Sequence, residues 1–189
     1  MPITLPIDPG ANTLLNHDPL ALLTAMLLDQ QIPLERAFAA PYELVKRLGH
    51  DLDARELAAY DPDALIELFA RKPALHRYPK AMARRVQELA QSLMEHYDGR
   101  AELVWTEAES GRDLYQRVAA LPGFGDQKAR IFVALLGKGL DVRPEGWREA
   151  SGAYGEDGSY RSVADIVDED SLVRVRTYKQ QLKAAAKGG

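Results

Sequence analysis

The chain has 189 residues, of which 46% are apolar and 28% charged, with a formal net charge of −4 and no cysteine, enough to bury a sizeable core in one compact unit or two small ones. The lack of cysteine excludes disulfide frameworks, thiolate nucleophiles, Cys-based zinc sites and iron–sulfur clusters, and the mild negative charge argues against a protein that coats nucleic acid through its overall field. The N-terminus MPITLPIDPG has no basic and then apolar leader, and no stretch nears the roughly 18 consecutive apolar residues of a membrane span, so a cytoplasmic location away from membranes is expected.

In chain order, NHDPLALLTAMLLDQQ opens with a capping Asn or Asp and an early Pro. Its apolar residues Leu20, Leu22, Leu23, Met26, Leu27 and Leu28 lie on nearly every side, which predicts a central, buried helix. Short helices are expected over PLERAF, PYELVKRLG, DARELAAY and DPDALIELFARK, with Pro33, Pro41, Pro62 and Pro73 near their junctions. From Arg71 to Arg85 the chain carries six Lys or Arg, one His and no acid, which reads either as a solvated face or as a local anion-binding patch. KAMARRVQELAQSLMEHYDG is a long helix, with Met82, Val86, Leu89 and Leu93 at 3.6-residue spacing and Gly99 as its stop.

GRDLYQRVAAL then leads through the turn LPGFG into the helix QKARIFVALLG. After Gly137 the stretch GKGLDVRPEGWREASGAYGEDGSYRS loses helical periodicity and reads as a structured loop. SVADIVD and EDSLVRVRTYKQQLKAAAKG resume helix, the latter acidic at its start and basic at its end, with KAAAKGG expected to fray. With no sustained period-two alternation and no internal repeat, the fold class is all-α. The histidines His17, His50, His76 and His96 lack the i, i+4 spacing of a metal site, so neither a metal nor another cofactor is expected.

The turn LPGFGDQKA carries the most specific chemistry. Gly123 and Gly125 can take positive φ and expose amides with no Cβ in the way. The helix N-terminus that follows adds unpaired N–H groups and a positive dipole end, together an anion site that suits a DNA phosphate or serves as a plain packing turn. Lys128, in the first helical turn, is read as a phosphate contact.

LPGFGDQKA resembles the hairpin of the helix-hairpin-helix DNA glycosylase superfamily, which includes endonuclease III and the adenine, alkyladenine and oxoguanine glycosylases. Three further segments match in the same order: LLTAMLLDQQIPLERAF, YPKAMARRVQELA and the loop from Gly137, together spanning roughly residues 18 to 150. The resemblance implies two helical lobes around a cleft, with the helix-hairpin-helix at about 112–137. One lobe would comprise 18–137 and the other 1–17 plus 138–189. It implies double-stranded, damaged DNA as partner and a target base flipped into a pocket, at a cost of a few kcal/mol. Gly123, Phe124, Gly125, Gln127 and Lys128 of the hairpin, and Lys80 and Arg84 of the Lys-Ala helix, are then the DNA contacts. Gln31, with Gln30 beside it, is the wedge that fills the vacated stack.

Two departures from the family pattern limit the chemistry. Gln127 occupies the position of the lysine that forms a Schiff base in bifunctional members, and Gln cannot form the imine. Lys128 is turned by about 100° from that position. The catalytic aspartate of the family falls nearest Glu145, with Asp141 and Glu149 as alternatives. A carboxylate there would stabilise an oxocarbenium-like sugar or activate water, unless Asp141 is a turn residue and Glu145 an ion-pair partner of Arg143 or Arg148. Trp147, Tyr154 and Tyr160 are either core aromatics or, for Trp147 and Tyr154 in particular, the stacking walls of a base pocket. The expectation is a monofunctional DNA N-glycosylase of base-excision repair without lyase activity or iron–sulfur cluster; the alternative is a non-catalytic protein that recognises distorted duplex.

Overall fold

The computed structural model describes residues 2–189. Every regular element among these residues is helical: α1 (Pro9–His17), α2 (Pro19–Leu28), α3 (Leu34–Leu48), α4 (Ala54–Ala59), α5 (Pro62–Ala70), α6 (Pro79–Tyr97), α7 (Leu103–Thr106), α8 (Gly111–Ala119), α9 (Asp126–Gly139), α10 (Trp147–Ser151) and α11 (Glu169–Lys187), with short 3-10 turns at Gly152–Gly155 and Val163–Asp165. No helix is long and apolar enough to cross a membrane among the described residues.

One sequence device opens three of these helices. Asp8, Asp18 and Asp61 each precede a proline, and each carboxylate accepts a backbone N–H of the first turn while the proline supplies a preset φ where no intrahelical donor is needed. Asp53 caps α4, Ser110 caps α8, and Asp168 with Ser171 forms a reciprocal capping box on α11.

Several elements differ from the sequence expectation. PLERAF and PYELVKRLG form a single helix, α3, with Pro41 inside it. Pro41 is buried beside Phe38 and Leu44, so apolar packing offsets the hydrogen bond that its ring removes. The stretch after Gly137 contains α10, SVADIVD shortens to one 3-10 turn, and α11 continues to Lys187. Gly123 has φ +82, but Gly125 has φ −81, a value open to any residue.

As its all-round apolarity predicts, α2 is enclosed: every residue from Leu20 to Leu28 is buried. It packs on α1, α3 and α6, while α8, α10 and both 3-10 turns gather on α9. One apolar core runs through both groups, with Phe38, Phe69 and Phe132 among its largest fully buried side chains. The loop between α5 and α6 is pinned from α3, where Arg47 donates to the carbonyls of Leu68 (2.6 Å) and Pro73 (2.5 Å) and Arg36 to that of Ala74 (2.5 Å). That anchoring places His76 under the end of α2.

Candidate functional site

The α8–α9 connection is a tight turn laid against the C-terminal end of α2. Phe124 is buried, edge-on to Phe132 at 5.9 Å between ring centroids, and so fixes the turn to the core. Gly123 is required twice over: its φ is positive, and a Cβ there would run into the Leu27 Cδ1 methyl. Gly125 is the N-cap of α9, exposed and open to solvent on its Cα face, and no side chain caps the helix. Helical geometry leaves the first-turn amides without intrahelical acceptors. Asp126 sits among them with its carboxylate accepting from Tyr115 Oη (2.5 Å) and Arg130 Nε (3.0 Å). The Tyr115 hydrogen bond, aided by Arg130, holds the Asp126 carboxyl below its usual range.

Lys128 points the other way. Instead of facing solvent for a phosphate, its Nζ donates to the carbonyl oxygens of Met26 (2.7 Å), Leu27 (3.2 Å) and Asp29 (3.3 Å). These are orphan acceptors of the α2 C-terminus, where a cation also complements the helix dipole. Burial pulls the Lys128 ammonium down to about 8, against the opposing pull of Asp29.

The turn after α2 is held from two other sides. His76 Nδ1 accepts from the Tyr78 N–H (3.0 Å), which leaves Nε2 as the protonated nitrogen, donating to the carbonyls of Leu28 (3.1 Å) and Gln30 (2.9 Å). Burial lowers the His76 pKa, in keeping with a neutral ring. Gln30 Nε2 donates to Leu27 O (2.9 Å) and its Oε1 accepts from Arg85 (2.8 Å). Gln30 is therefore a fixed cap, while Gln31 stands exposed with φ +58, a left-handed conformation uncommon for a residue with a side chain. Lys80 and Arg84 are exposed one turn apart on α6.

Of the carboxylates in the loop after α9, Glu145 and Glu149 come beside Tyr115 and Arg130, the partners of Asp126, while Asp141 stays apart. Glu145 O accepts from Gly111 N (2.7 Å) at the start of α8, and Trp147 packs on Gly137, ten residues or roughly 15 Å along α9 from Gln127. The exposed Glu145 side chain shares with Glu149, Arg112, Tyr115 and Arg130 an open pocket of about 390 Å³. Asp141 is a turn residue with φ +55, ion-paired to Arg143 at 2.9 Å.

Trp147 is a core anchor: buried, pressed on Gly137 and covered by the guanidinium groups of Arg148 (4.6 Å to the ring) and Arg143 (5.9 Å). It is closed to a stacking base. Tyr154 does reach the turn, where its hydroxyl accepts from Gln127 Nε2 at 3.0 Å. Its backbone is secured by Lys138, which donates to the carbonyls of Tyr154 (2.8 Å) and Glu156 (2.7 Å) and pairs with Asp165 (2.8 Å).

A second carboxyl group beside the turn is Asp29, which follows the last residue of α2 and whose carbonyl accepts from Lys128. Burial raises its pKa, with Lys179 and Lys128 opposing. One signal for it was present in the sequence: an acid at a helix C-terminus opposes the dipole and needs a compensating cation. No family model matches the chain, and no curated protein or solved structure was found that matches it.

Proposed function

We propose that this protein binds duplex DNA at damaged or distorted positions and acts as a monofunctional DNA N-glycosylase, hydrolysing the bond between a displaced base and C1′ without lysine-based strand cleavage. The observation that carries this proposal is the junction made by Lys128. Lys128, in the hairpin that the sequence resemblance assigns to the phosphate grip, donates to the carbonyl of Asp29, 99 residues earlier and next to Gln30 and Gln31, the residues assigned to the stack wedge. A strand whose phosphate met the α9 amides would pass beside Gln31, the exposed member of the adjoining turn. The exposed cations Lys80 and Arg84 add attraction for the same polyanion.

Gln127 keeps the chemistry hydrolytic. Its amide has no nucleophilic nitrogen for an imine, and the adjacent amine, Lys128, is engaged with carbonyls. In hydrolysis, water adds to C1′ as the C1′–N bond breaks, the bonding electrons leave on the base nitrogen, and the proton lost by water returns to the departing base.

A second reading, DNA binding without bond cleavage, is favoured by the exposed side chain of Glu145, which an open pocket leaves in contact with water. One experiment addresses both. Duplexes with an abasic-site analogue are titrated at several salt concentrations, and a panel of lesion duplexes is incubated with protein and then treated with alkali. Binding that weakens steeply with salt supports the phosphate grip, and alkali-dependent breaks support glycosylase action. A salt-independent response rejects both readings, and breaks without alkali reject the role given to Gln127.

A further inference from the structure

α11 is held to the rest of the chain through its first half. Leu172 and Val175 are buried, the helix packs on the 3-10 turn at Val163–Asp165, and Lys179 and Lys183 line a pocket beside Asp29 at the C-terminal end of α2. Every residue from Gln180 to Lys187 is exposed. The apolar stripe nevertheless continues past its cover. Leu182 lies two turns beyond Val175 and within about 20° of it around the axis, and Ala186 follows one turn later, yet Leu182 is 48% exposed. Lys183 and Lys187 flank this stripe at a spacing that sets both on one side of the helix. From Ser171 to the end of the chain there are five Lys or Arg and no acid, so all 28 acidic side chains lie in residues 1–170.

At the other end of α2 the chain forms a groove that matches this stripe. It measures about 520 Å³ and lies where α1, α2 and α3 meet, with Leu14, Val45 and Leu52 as apolar lining beside Tyr42, and with Asp18 and Asp51 at its edge. Burial raises the Asp18 carboxyl, and the negative charge of Asp51 adds to the rise, so two like charges share one rim. Lys46, over the Tyr42 ring, is already paired with Glu43 at 3.6 Å. An apolar floor between two carboxylates suits an apolar side chain flanked by cations.

We propose that the C-terminal half of α11 docks in this groove of a second copy of the chain, with Leu182 and Ala186 against Leu14, Val45 and Leu52, and with Lys183 and Lys187 facing Asp18 and Asp51. The pairing is intermolecular for a reason of length. Asp18 and Asp29 bracket the ten residues of α2, roughly 15 Å of helix, and Lys183 lies at the Asp29 end, whereas the four residues of α11 after it add only about 6 Å. The stripe therefore falls short of the groove in its own molecule.

A helix laying apolar anchors from one face into a groove is a common mode of recognition. Charge complementarity selects the partner, because the basic half of α11 meets an acidic body and a second copy supplies one. Each copy carries both a stripe and a groove, so two copies that exchange them form a closed dimer with two equal contacts. Each contact is small, and the association is accordingly weak and dependent on concentration and salt. The dimer is independent of the DNA reading.

Sedimentation velocity on the full chain, from low to high micromolar concentration and at two salt concentrations, tests it. Wild type is expected to shift from monomer to dimer with concentration, and less so at high salt. Leu182→Gln should raise the dissociation constant roughly tenfold or more. Lys183→Glu combined with Lys187→Glu, and separately Asp51→Lys, should each associate less than wild type. The same two proteins mixed should associate again, because each then presents a stripe of matching sign to the other's groove. All four positions are exposed, so the fold is undisturbed. A wild type that stays monomeric overturns the proposal, as does a dimer that Leu182→Gln and the charge variants leave unchanged, or a mixture that does not recover. A monomeric wild type whose duplex binding falls in the Lys183→Glu, Lys187→Glu protein overturns it in favour of phosphate contact by α11.

Discussion

The Lys128 ammonium lies 2.7 Å from the Met26 carbonyl oxygen, and with that contact the first turn of α9 becomes the cap of α2. A positive charge in that position is both useful and costly: it satisfies orphan carbonyls, yet it is largely withdrawn from water. Its pKa of about 8 against an ordinary 10.5 records that the cost exceeds the gain. Between these two values the unfolded chain binds more protons than the folded one, so stability from this group rises with pH from about 8 to 10.5 and is at its lowest below 8. The stability difference between wild type and Lys128→Met should therefore shift in favour of wild type by the order of 1–2 kcal/mol between pH 8 and 10. Urea unfolding of both proteins at pH 7, 8, 9 and 10 measures it, and parallel pH curves would rule out the assignment.

The two glycines of the α8–α9 turn should separate cleanly. Gly123→Ala places a side chain at φ +82 and against Leu27, and should destabilise by roughly 1–3 kcal/mol. Gly125→Ala meets open space at an ordinary φ and should change the melting temperature little. If a phosphate approaches the α9 amides, Gly125→Ala weakens duplex binding while leaving the melt unaltered. A Gly125→Ala protein with wild-type affinity for abasic duplex would remove the turn from the binding surface.

Lys138 and Asp165 form the most enclosed ion pair described, with side chains 12% and 6% exposed. Lys138→Met removes the countercharge of a buried carboxylate and the donor of two carbonyls, and should cost roughly 3–5 kcal/mol in chemical denaturation. Lys138→Met combined with Asp165→Leu should recover part of that loss, because the stranded charge is gone. If the double variant is no more stable than the single one, the pair is not the origin of the cost.

Trp147 separates packing from ligand stacking. Trp147→Ala should lose roughly 3–5 kcal/mol, since the ring fills the space beside Gly137. Trp147→Phe should keep its affinity for damaged duplex within error, because Arg143 and Arg148 already cover the ring. A marked loss of affinity in a folded Trp147→Phe protein would return this side chain to the ligand.

The helical class, the enclosed α2 and the turn beside it were legible because each has a letter pattern: Asp-Pro at helix starts, all-round apolarity, and Gly-x-Gly before an amphipathic run. Lys128 and His76 were not, for a physical reason. Their partners are main-chain carbonyls of Met26, Leu27, Leu28, Asp29 and Gln30, and a carbonyl has no identity in a sequence. A lysine in the first turn of a helix after glycines reads as outward-facing until the neighbouring helix end is placed. The loop from Gly137 misleads in another way: counting residues locates Glu145 by chain distance, but the fold sets its exposed side chain in an open pocket with Arg112, Tyr115 and Arg130.

The long reach of Lys128 also makes the chain hard to divide. The first 119 residues hold nearly all of the partners of α2, yet without the segment that follows the carbonyls of Met26 and Leu27 lose their donor and Leu27 loses the backbone it packs against. Closing a loop of about a hundred residues is slow and entropically costly, so the conformation of Gln31 should be among the last features to mature as the polypeptide folds. Truncation before α9 would yield a helical fragment whose wedge turn is unset, and circular permutation that opens the chain between α7 and α8 would keep it intact.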